Sequence, residues 1–131
     1  MAKANAKPCS DQIAKLMSEK SALLSQAHAL TTMGMAQAAQ PVWASAASFE
    51  ERIASLLDAD GDELEAAVHR VSTASCYEKA GDPSRATNLY RAALAGPLRE
   101  VTREEVRGML AVCLARLKES APRRPGKKER P

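Results

Sequence analysis

The stretch from Val71 to Pro97 reads VSTASCYEKAGDPSRATNLYRAALAGP and predicts two helices joined by a very short turn. Gly81 can adopt the left-handed conformation that ends a helix. Asp82 is a favourable N-cap, and Pro83 suits the first helical position, where its missing N–H is not needed. Gly96-Pro97 would end the second helix. The stretch therefore predicts an antiparallel helical hairpin.

The same pattern occurs once more upstream, where Gly34 aligns with Gly81. The same offset aligns five further pairs of apolar residues: Ala27 with Ala74, Leu30 with Tyr77, Ala39 with Ala86, Trp43 with Tyr90, and Ala46 with Ala93. The match of Gly34 with Gly81 and that of Trp43 with Tyr90 are the strongest evidence for a repeat, because alanine matches are common in an alanine-rich chain. The alignment predicts two similar hairpins, over residues 10–58 and 61–96.

The second hairpin resembles a known family, the tetratricopeptide repeat, through Tyr77, Gly81-Asp82, Ala86, Tyr90 and Ala93-Leu94. Units of that family are helix–turn–helix hairpins that stack into superhelices. The resemblance implies two degenerate repeats and a closing helix over residues 102–120. The expected fold is all-α, with about five helices in TPR-like antiparallel hairpins that form a short right-handed solenoid or a compact bundle. Residues expected to be structurally important are Gly34, Trp43, Tyr77, Gly81, Ala86 and Tyr90.

Composition independently favours helices. The 131 residues are 45% hydrophobic but only 3% aromatic, because alanine supplies much of the apolar content. Alanine is the strongest helix former, and no alternating run typical of a strand occurs. No apolar run is long enough to span a membrane, and the N-terminal sequence lacks a signal-peptide pattern. Three scattered cysteines suit a reducing compartment, so we expect a cytoplasmic protein in which Cys76 and Cys113 are buried.

Capping and periodicity place five helices within a domain of residues 10–120. Asp60 and Thr102 are the expected N-caps of the third and fifth helices, because each is followed three residues later by a glutamate. Pro41 should either kink the second helix or force it to begin near Gln40. The predicted ranges are approximately 10–32, 35–57, 61–80, 83–95 and 103–120.

The two ends of the chain differ from this domain. Residues 1–9 are predicted to be a disordered leader, and residues 121–131 a disordered basic tail. The tail carries cations that could contact nucleic acid or an acidic partner: Arg123, Arg124, Lys127, Lys128 and Arg130. Because it contains no stacking aromatic residue, solubility or weak nonspecific attraction is the alternative role.

Catalytic chemistry finds little support in the sequence. His28 and His69 lie in no recognisable catalytic or metal motif, and no phosphate loop or nucleophile elbow is present. The segment DADGD at 58–62 resembles the start of a calcium loop, but Glu63 stands where that loop needs a glycine. We therefore expect a helix-capping turn there, a surface position for His69, no cofactor and no enzymatic activity.

The resemblance implies a non-enzymatic adaptor or assembly subunit, because tetratricopeptide arrays bind partner proteins or peptides in a groove lined by the first helix of each hairpin. Recognition of a C-terminal carboxylate is not expected, because the groove has no asparagine at the matching sites. The alternative for Leu24 and Val71 is a place in the core. The partner-binding residues carried over by alignment are Leu24, His28, Thr31, Thr32, Val71, Ser75, Glu78, Lys79 and Arg116, with Val112 as a further candidate.

Two other functions stay open at this point. One is a nucleic-acid-associated accessory protein that uses the basic tail, and the other is a helical bundle that works through self-association. Helical arrays of this kind are usually stable only with about three or more repeats. Since this chain offers two, we expect a homo-oligomer or a permanent partner protein.

Overall fold

The computed structural model describes residues 10–120, which form five α-helices without a strand in that range. Each helix packs chiefly against its neighbours along the chain, so the fold is all-α and built from helical hairpins, as predicted. The proposed leader (1–9) and basic tail (121–131) lie outside the described residues. The helices are α1 (Ser10–Thr32), α2 (Ala36–Ala59), α3 (Glu63–Lys79), α4 (Pro83–Leu94) and α5 (Glu100–Ser120).

Three turns with the same backbone arrangement reverse the chain. Gly34, Gly61 and Gly81 have positive φ angles of 80°, 83° and 88°. The N–H of the residue after each glycine donates to a carbonyl five residues earlier, which satisfies a helix-end acceptor. These bonds are Met35 to Leu30 (2.8 Å), Asp62 to Leu57 (2.8 Å) and Asp82 to Tyr77 (2.9 Å). The connection between the two hairpins is therefore built like the turn inside each hairpin.

The predicted cap of α4 is confirmed, but the expected cap of α3 is wrong. The Asp82 carboxylate accepts a hydrogen bond from the Arg85 N–H at 3.1 Å, and Pro83 begins the helix. The N-cap of α3 is Asp62, whereas Asp60 is the C-cap of α2. The positive φ of Gly61 explains the shift, because α3 can begin only after the turn that this glycine makes.

The start of α5 also differs from the prediction, whereas α2 begins within one residue of the predicted position and not at the alternative near Gln40. α2 begins at Ala36, so Pro41 lies inside the helix rather than at its start. Its ring is exposed, and so is Gln37, whose carbonyl lacks the helical donor that proline cannot supply and can be hydrated instead. α5 begins at Glu100, which puts Thr102 in the first turn. The Arg103 guanidinium then donates to the carbonyls of Leu94, Gly96 and Leu98 and ties the end of α4 to α5.

The core is formed largely by residues that align between the two hairpins. The pairs buried in both copies are Ala27 and Ala74, Ala39 and Ala86, Trp43 and Tyr90, and Ala46 and Ala93. Leu30 is half-buried and packs against the core, whereas its counterpart Tyr77 belongs to it. Cys76 and Cys113 are buried free thiols, as expected.

Candidate interaction groove

A cleft of about 180 Å³ lies between α1 and α3, with side chains of α2 at its base. We call it the first cleft. Its base is made by one aromatic ring, one carboxylate and one thiol, and its rim is mostly polar. The residues that line it are Leu24, His28, Trp43, Glu50, Ser72, Ser75, Cys76 and Lys79.

A larger cleft of about 470 Å³, the second cleft, lies between α3 and α5. Two carboxylates and two apolar side chains face it, and Val112 among them is 49% exposed. The adjacent residues Glu78 and Lys79 open onto different clefts, so α3 forms the wall between them. We call the two clefts together the groove. The residues that line the second cleft are Glu78, Glu105, Gly108, Met109 and Val112.

The structure brings most of the predicted partner-binding residues to the groove. In the first cleft these are Leu24, His28, Ser75 and Lys79; Glu78 and Val112 line the second. Arg116 reaches the second cleft indirectly, because its Nη1 donates to Glu78 Oε2 at 2.9 Å.

Three predicted groove residues lie elsewhere. Val71 is only 9% exposed and belongs to the core, because its side of α3 packs against the neighbouring helices. Thr31 and Thr32 are exposed at the end of α1 but line neither cleft. The Thr31 hydroxyl donates to the Ala27 carbonyl of its own helix at 2.9 Å. None of the three lines either cleft, and Val71 takes the alternative place in the core; a part in partner binding stays a prediction for Thr31 and Thr32.

Trp43 connects the core to the first cleft. Its side chain is 4% exposed, and the His28 ring meets it edge-on with ring centroids 4.8 Å apart. The Lys79 ammonium lies 4.8 Å from the centre of the indole ring, a cation–π arrangement. Two residues predicted to bind a partner therefore cover the aromatic base of the cleft.

Glu50 is a buried carboxylate that sequence reasoning missed. It is 3% exposed, and its oxygens lie 2.6 Å from His69 Nδ1 and 3.4 Å from Lys20 Nζ. A buried carboxylate needs such partners, because its desolvation is otherwise very unfavourable. The expected surface position of His69 is wrong, since its side chain is largely buried against Glu50. A usable signal existed: Glu50 follows Trp43 and Ala47 at helical spacing on the buried side of α2.

The thiol of Cys76 stays protonated at neutral pH. Burial, followed by the negative charge of Glu50, raises its pKa to about 11. A protonated thiol is a poor nucleophile and a poor metal ligand. Cys76 therefore gives the first cleft an apolar lining atom rather than a reactive one.

Glu78 connects three helices at the edge of the second cleft. It accepts hydrogen bonds from the Tyr90 hydroxyl of α4 at 3.1 Å and from Arg116 of α5 at 2.9 Å. Burial, and then the charge of Glu78, raise the pKa of the Tyr90 phenol, so the hydroxyl remains a donor. Glu78 is therefore part of the scaffold as well as part of the groove.

The DADGD segment forms the turn between α2 and α3. The Asp58 carboxylate pairs with Arg70, and Gly61 supplies the left-handed residue. Within residues 10–120, no group of three or more His, Cys, Asp or Glu side chains is arranged to hold a metal ion. No helix in the same range is long and apolar enough to cross a membrane.

No protein-family model, curated protein or solved structure matches this chain.

Proposed function

We propose that this chain is a non-enzymatic adaptor or assembly subunit that binds a segment of a partner protein in the groove. The observation that carries the proposal is the pair of neighbouring clefts on the two sides of α3. Each combines apolar surface with a few polar groups, the usual make-up of a recognition site. The resemblance to the tetratricopeptide repeat supports the same use of α1, α3 and α5.

The two clefts differ in the side chains that they would accept. The first is small, and its rim carries the imidazole of His28 and the ammonium of Lys79. The Glu50 carboxylate at its base is already paired with Lys20 and His69, so the rim suits a short acidic side chain. The second is larger, with Met109 and Val112 beside the carboxylates of Glu78 and Glu105. It suits a large apolar side chain next to a basic one. The partner segment should therefore have an apolar anchor flanked by opposite charges.

The proposal places the protein in the cytoplasm. Cys76 and Cys113 are free and buried, and neither forms a disulfide. Such thiols persist where the surroundings are reducing.

The test uses one charge reversal for each cleft and a matched control. Lys79→Glu alters the first cleft, Glu105→Arg alters the second, and Arg91→Glu alters an exposed position of α4 that lines neither. Each variant is used to capture partners from native lysate, and the recovered proteins are quantified by mass spectrometry. We expect a protein recovered by the wild type and by Arg91→Glu, with recovery lowered at least about tenfold by a groove variant.

Two results would contradict the proposal. One is equal loss of the captured protein from Arg91→Glu and from the groove variants. The other is unchanged capture by both groove variants. The unfolding midpoints of Glu105→Arg and Arg91→Glu should stay close to that of the wild type, because both side chains are exposed. Lys79→Glu also loses the cation–π contact with Trp43, which should lower the free energy of unfolding by only about 0.5–1 kcal/mol.

A further inference from the structure

Charge is unevenly divided between the helical domain and the basic tail. Residues 10–120 carry 15 Asp or Glu and 12 Lys or Arg side chains, a net charge of −3 with neutral histidines. Residues 121–131 carry five Lys or Arg side chains and one glutamate, a net charge of +4. The basic tail is therefore a polycation attached to a domain of opposite charge.

The two clefts differ in charge, and the second is the acidic one. The only charged residues that line it are Glu78 and Glu105, whereas the first cleft has the Lys79 ammonium at its rim. Glu78 is already paired with Arg116. Glu105 is exposed and makes no ion pair with another residue of the range 10–120. Glu105 is thus the carboxylate of this cleft that can accept a further cation.

The basic tail is long enough to bring cations to Glu105. Glu105 lies 15 residues before Ser120, which is about 22 Å along α5 at 1.5 Å per residue. Lys127 and Lys128 follow Ser120 by seven and eight residues, and an extended chain covers roughly 23–26 Å over that length. A tail that turns back along α5 therefore brings these two lysines level with Glu105.

The same register matches the apolar part of the second cleft. Pro122 and Pro125 disfavour a helix and favour an extended chain. Pro125 follows Ser120 by five residues, which places it level with Met109, about 16 Å back along α5. Beside Met109, Gly108 leaves the cleft open, since a Cβ atom built there would meet nothing within 4 Å. An extended chain can therefore lie close to α5 at this point.

We propose that residues 122–130 fold back along α5 and occupy the second cleft, with Lys127 or Lys128 paired to Glu105 and Pro125 against Met109. The inference rests on the proposed function of the groove, where a partner segment presents an apolar side chain next to a basic one. The basic tail offers the same chemistry in the same chain, so it competes with the partner. The contact is weak and salt-dependent, because exposed ion pairs contribute little and are screened. A partner can therefore displace it.

A spin label on the basic tail tests the contact without any partner. The label is attached to Gly126→Cys in a Cys9→Ser chain, where the remaining thiols, Cys76 and Cys113, are buried. At low ionic strength, the NMR amide signals of Glu105 and Gly108 should lose most of their intensity relative to the reduced, diamagnetic label. About 0.5 M NaCl should restore them, because it screens the attraction between the tail and the cleft.

Glu105→Lys and Glu104→Lys form a matched pair for this measurement. Both change the net charge equally, and both positions are exposed, but only Glu105 lines the second cleft. Glu105→Lys should restore the Gly108 signal, and Glu104→Lys should leave it broadened. Equal broadening in the two variants would overturn the proposal. So would unbroadened Glu105 and Gly108 signals at low ionic strength in the labelled chain that keeps both glutamates.

Competition is tested by capture from native lysate with a chain whose basic tail is neutralised. Recovery of the partner should rise at least about twofold, because the apparent affinity of a site is reduced by the fraction of molecules in which it is occupied. Unchanged or lower recovery would overturn the competition. The neutralised chain has glutamine in place of Arg123, Arg124, Lys127, Lys128 and Arg130.

The two proposals fail in different ways. If the label broadens Glu105 and Gly108 but no chain captures a protein, the proposed function is wrong and the contact of the tail stands. If capture depends on the groove but these signals are never broadened, the contact of the tail is wrong and the proposed function stands.

Discussion

Trp43 and Tyr90 occupy aligned positions in the two hairpins but differ in their surroundings. Trp43 lies below the first cleft, covered by His28 and Lys79. Tyr90 is completely buried, and its hydroxyl donates to Glu78. The same position in the internal repeat thus serves as the base of the groove in one copy and links α4 to α3 in the other.

Truncation of either aromatic residue should strongly destabilise the fold. Trp43→Ala and Tyr90→Ala should each lower the free energy of unfolding by about 3–5 kcal/mol, because each empties a buried site. Tyr90→Phe keeps the ring and removes only the donor to Glu78, so it should cost about 1–2 kcal/mol. Urea unfolding followed by circular dichroism measures all three. A loss below about 1 kcal/mol for both alanine variants would contradict the packing described for the two hairpins.

The buried thiol of Cys76 gives a pH-dependent prediction. Burial, followed by the charge of Glu50, raises its pKa from the ordinary value of 9.0 to about 11 in the folded chain. The unfolded chain therefore loses this proton first, and stability that is complete below pH 9 should decline as pH rises toward 11. Tyr77 and Tyr90 contribute in the same direction, because burial raises the pKa of both phenols.

Urea unfolding of the wild type and of Cys76→Ala at pH 7 and pH 10 measures the contribution of this thiol. The loss of stability between the two pH values should be smaller in the variant. An equal loss in both proteins would show that Cys76 does not carry the effect.

At the residue scale, helical periodicity predicts the apolar core and marks the position of the buried charge, but it does not identify the partners that allow a charge there. Ala27, Ala74, Trp43 and Tyr90 follow helical periodicity, which points directly to the packed side. Glu50 follows the same periodicity, but its residue type predicts exposure. Its burial depends on Lys20 and His69, which two other helices bring to it, and a single sequence does not show that these helices meet there.

At the level of the helices, replacement by alanine should change stability in opposite directions at the turn glycines Gly34 and Gly81 and at Gly108 within α5. Gly34→Ala and Gly81→Ala should each lower stability by about 1 kcal/mol, because alanine is strained at positive φ. Gly108→Ala should raise it by roughly 0.5–1 kcal/mol, since the residue is helical and the space around its Cβ position is open.

Urea unfolding of the three glycine variants at one low protein concentration compares them directly. If Gly81→Ala were as stable as Gly108→Ala, the left-handed turn would not contribute to the hairpin.

A helix end could be predicted where the residue types at the turn restrict the backbone conformation. Gly81, Asp82 and Pro83 define the turn between α3 and α4 from sequence alone. The α2–α3 turn was harder, because the aspartates at 58, 60 and 62 are all plausible caps, and the conformation of Gly61 selects among them. α5 begins before its expected cap, where Arg103 contacts carbonyls at the end of α4, a tertiary interaction without a local sequence signal.

At the scale of the molecule, the order of the five helices positions the groove. Packing of successive helices leaves α1, α3 and α5 bordering the two clefts. The helices were predictable from periodicity and capping. The clefts were not, because their size depends on how far neighbouring helices are separated by the side chains between them.

Hydrogen–deuterium exchange of the chain, free and saturated with the protein that it captures, tests the central proposal most directly. We expect binding to slow exchange in the parts of α1, α3 and α5 that border the groove, around Leu24–His28, Ser75–Lys79 and Glu105–Val112. The exposed sides of α2 and α4, including the region of Arg91, should exchange at the same rate in both samples. Protection confined to α2 and α4, with no change along the groove, would contradict partner binding in the groove.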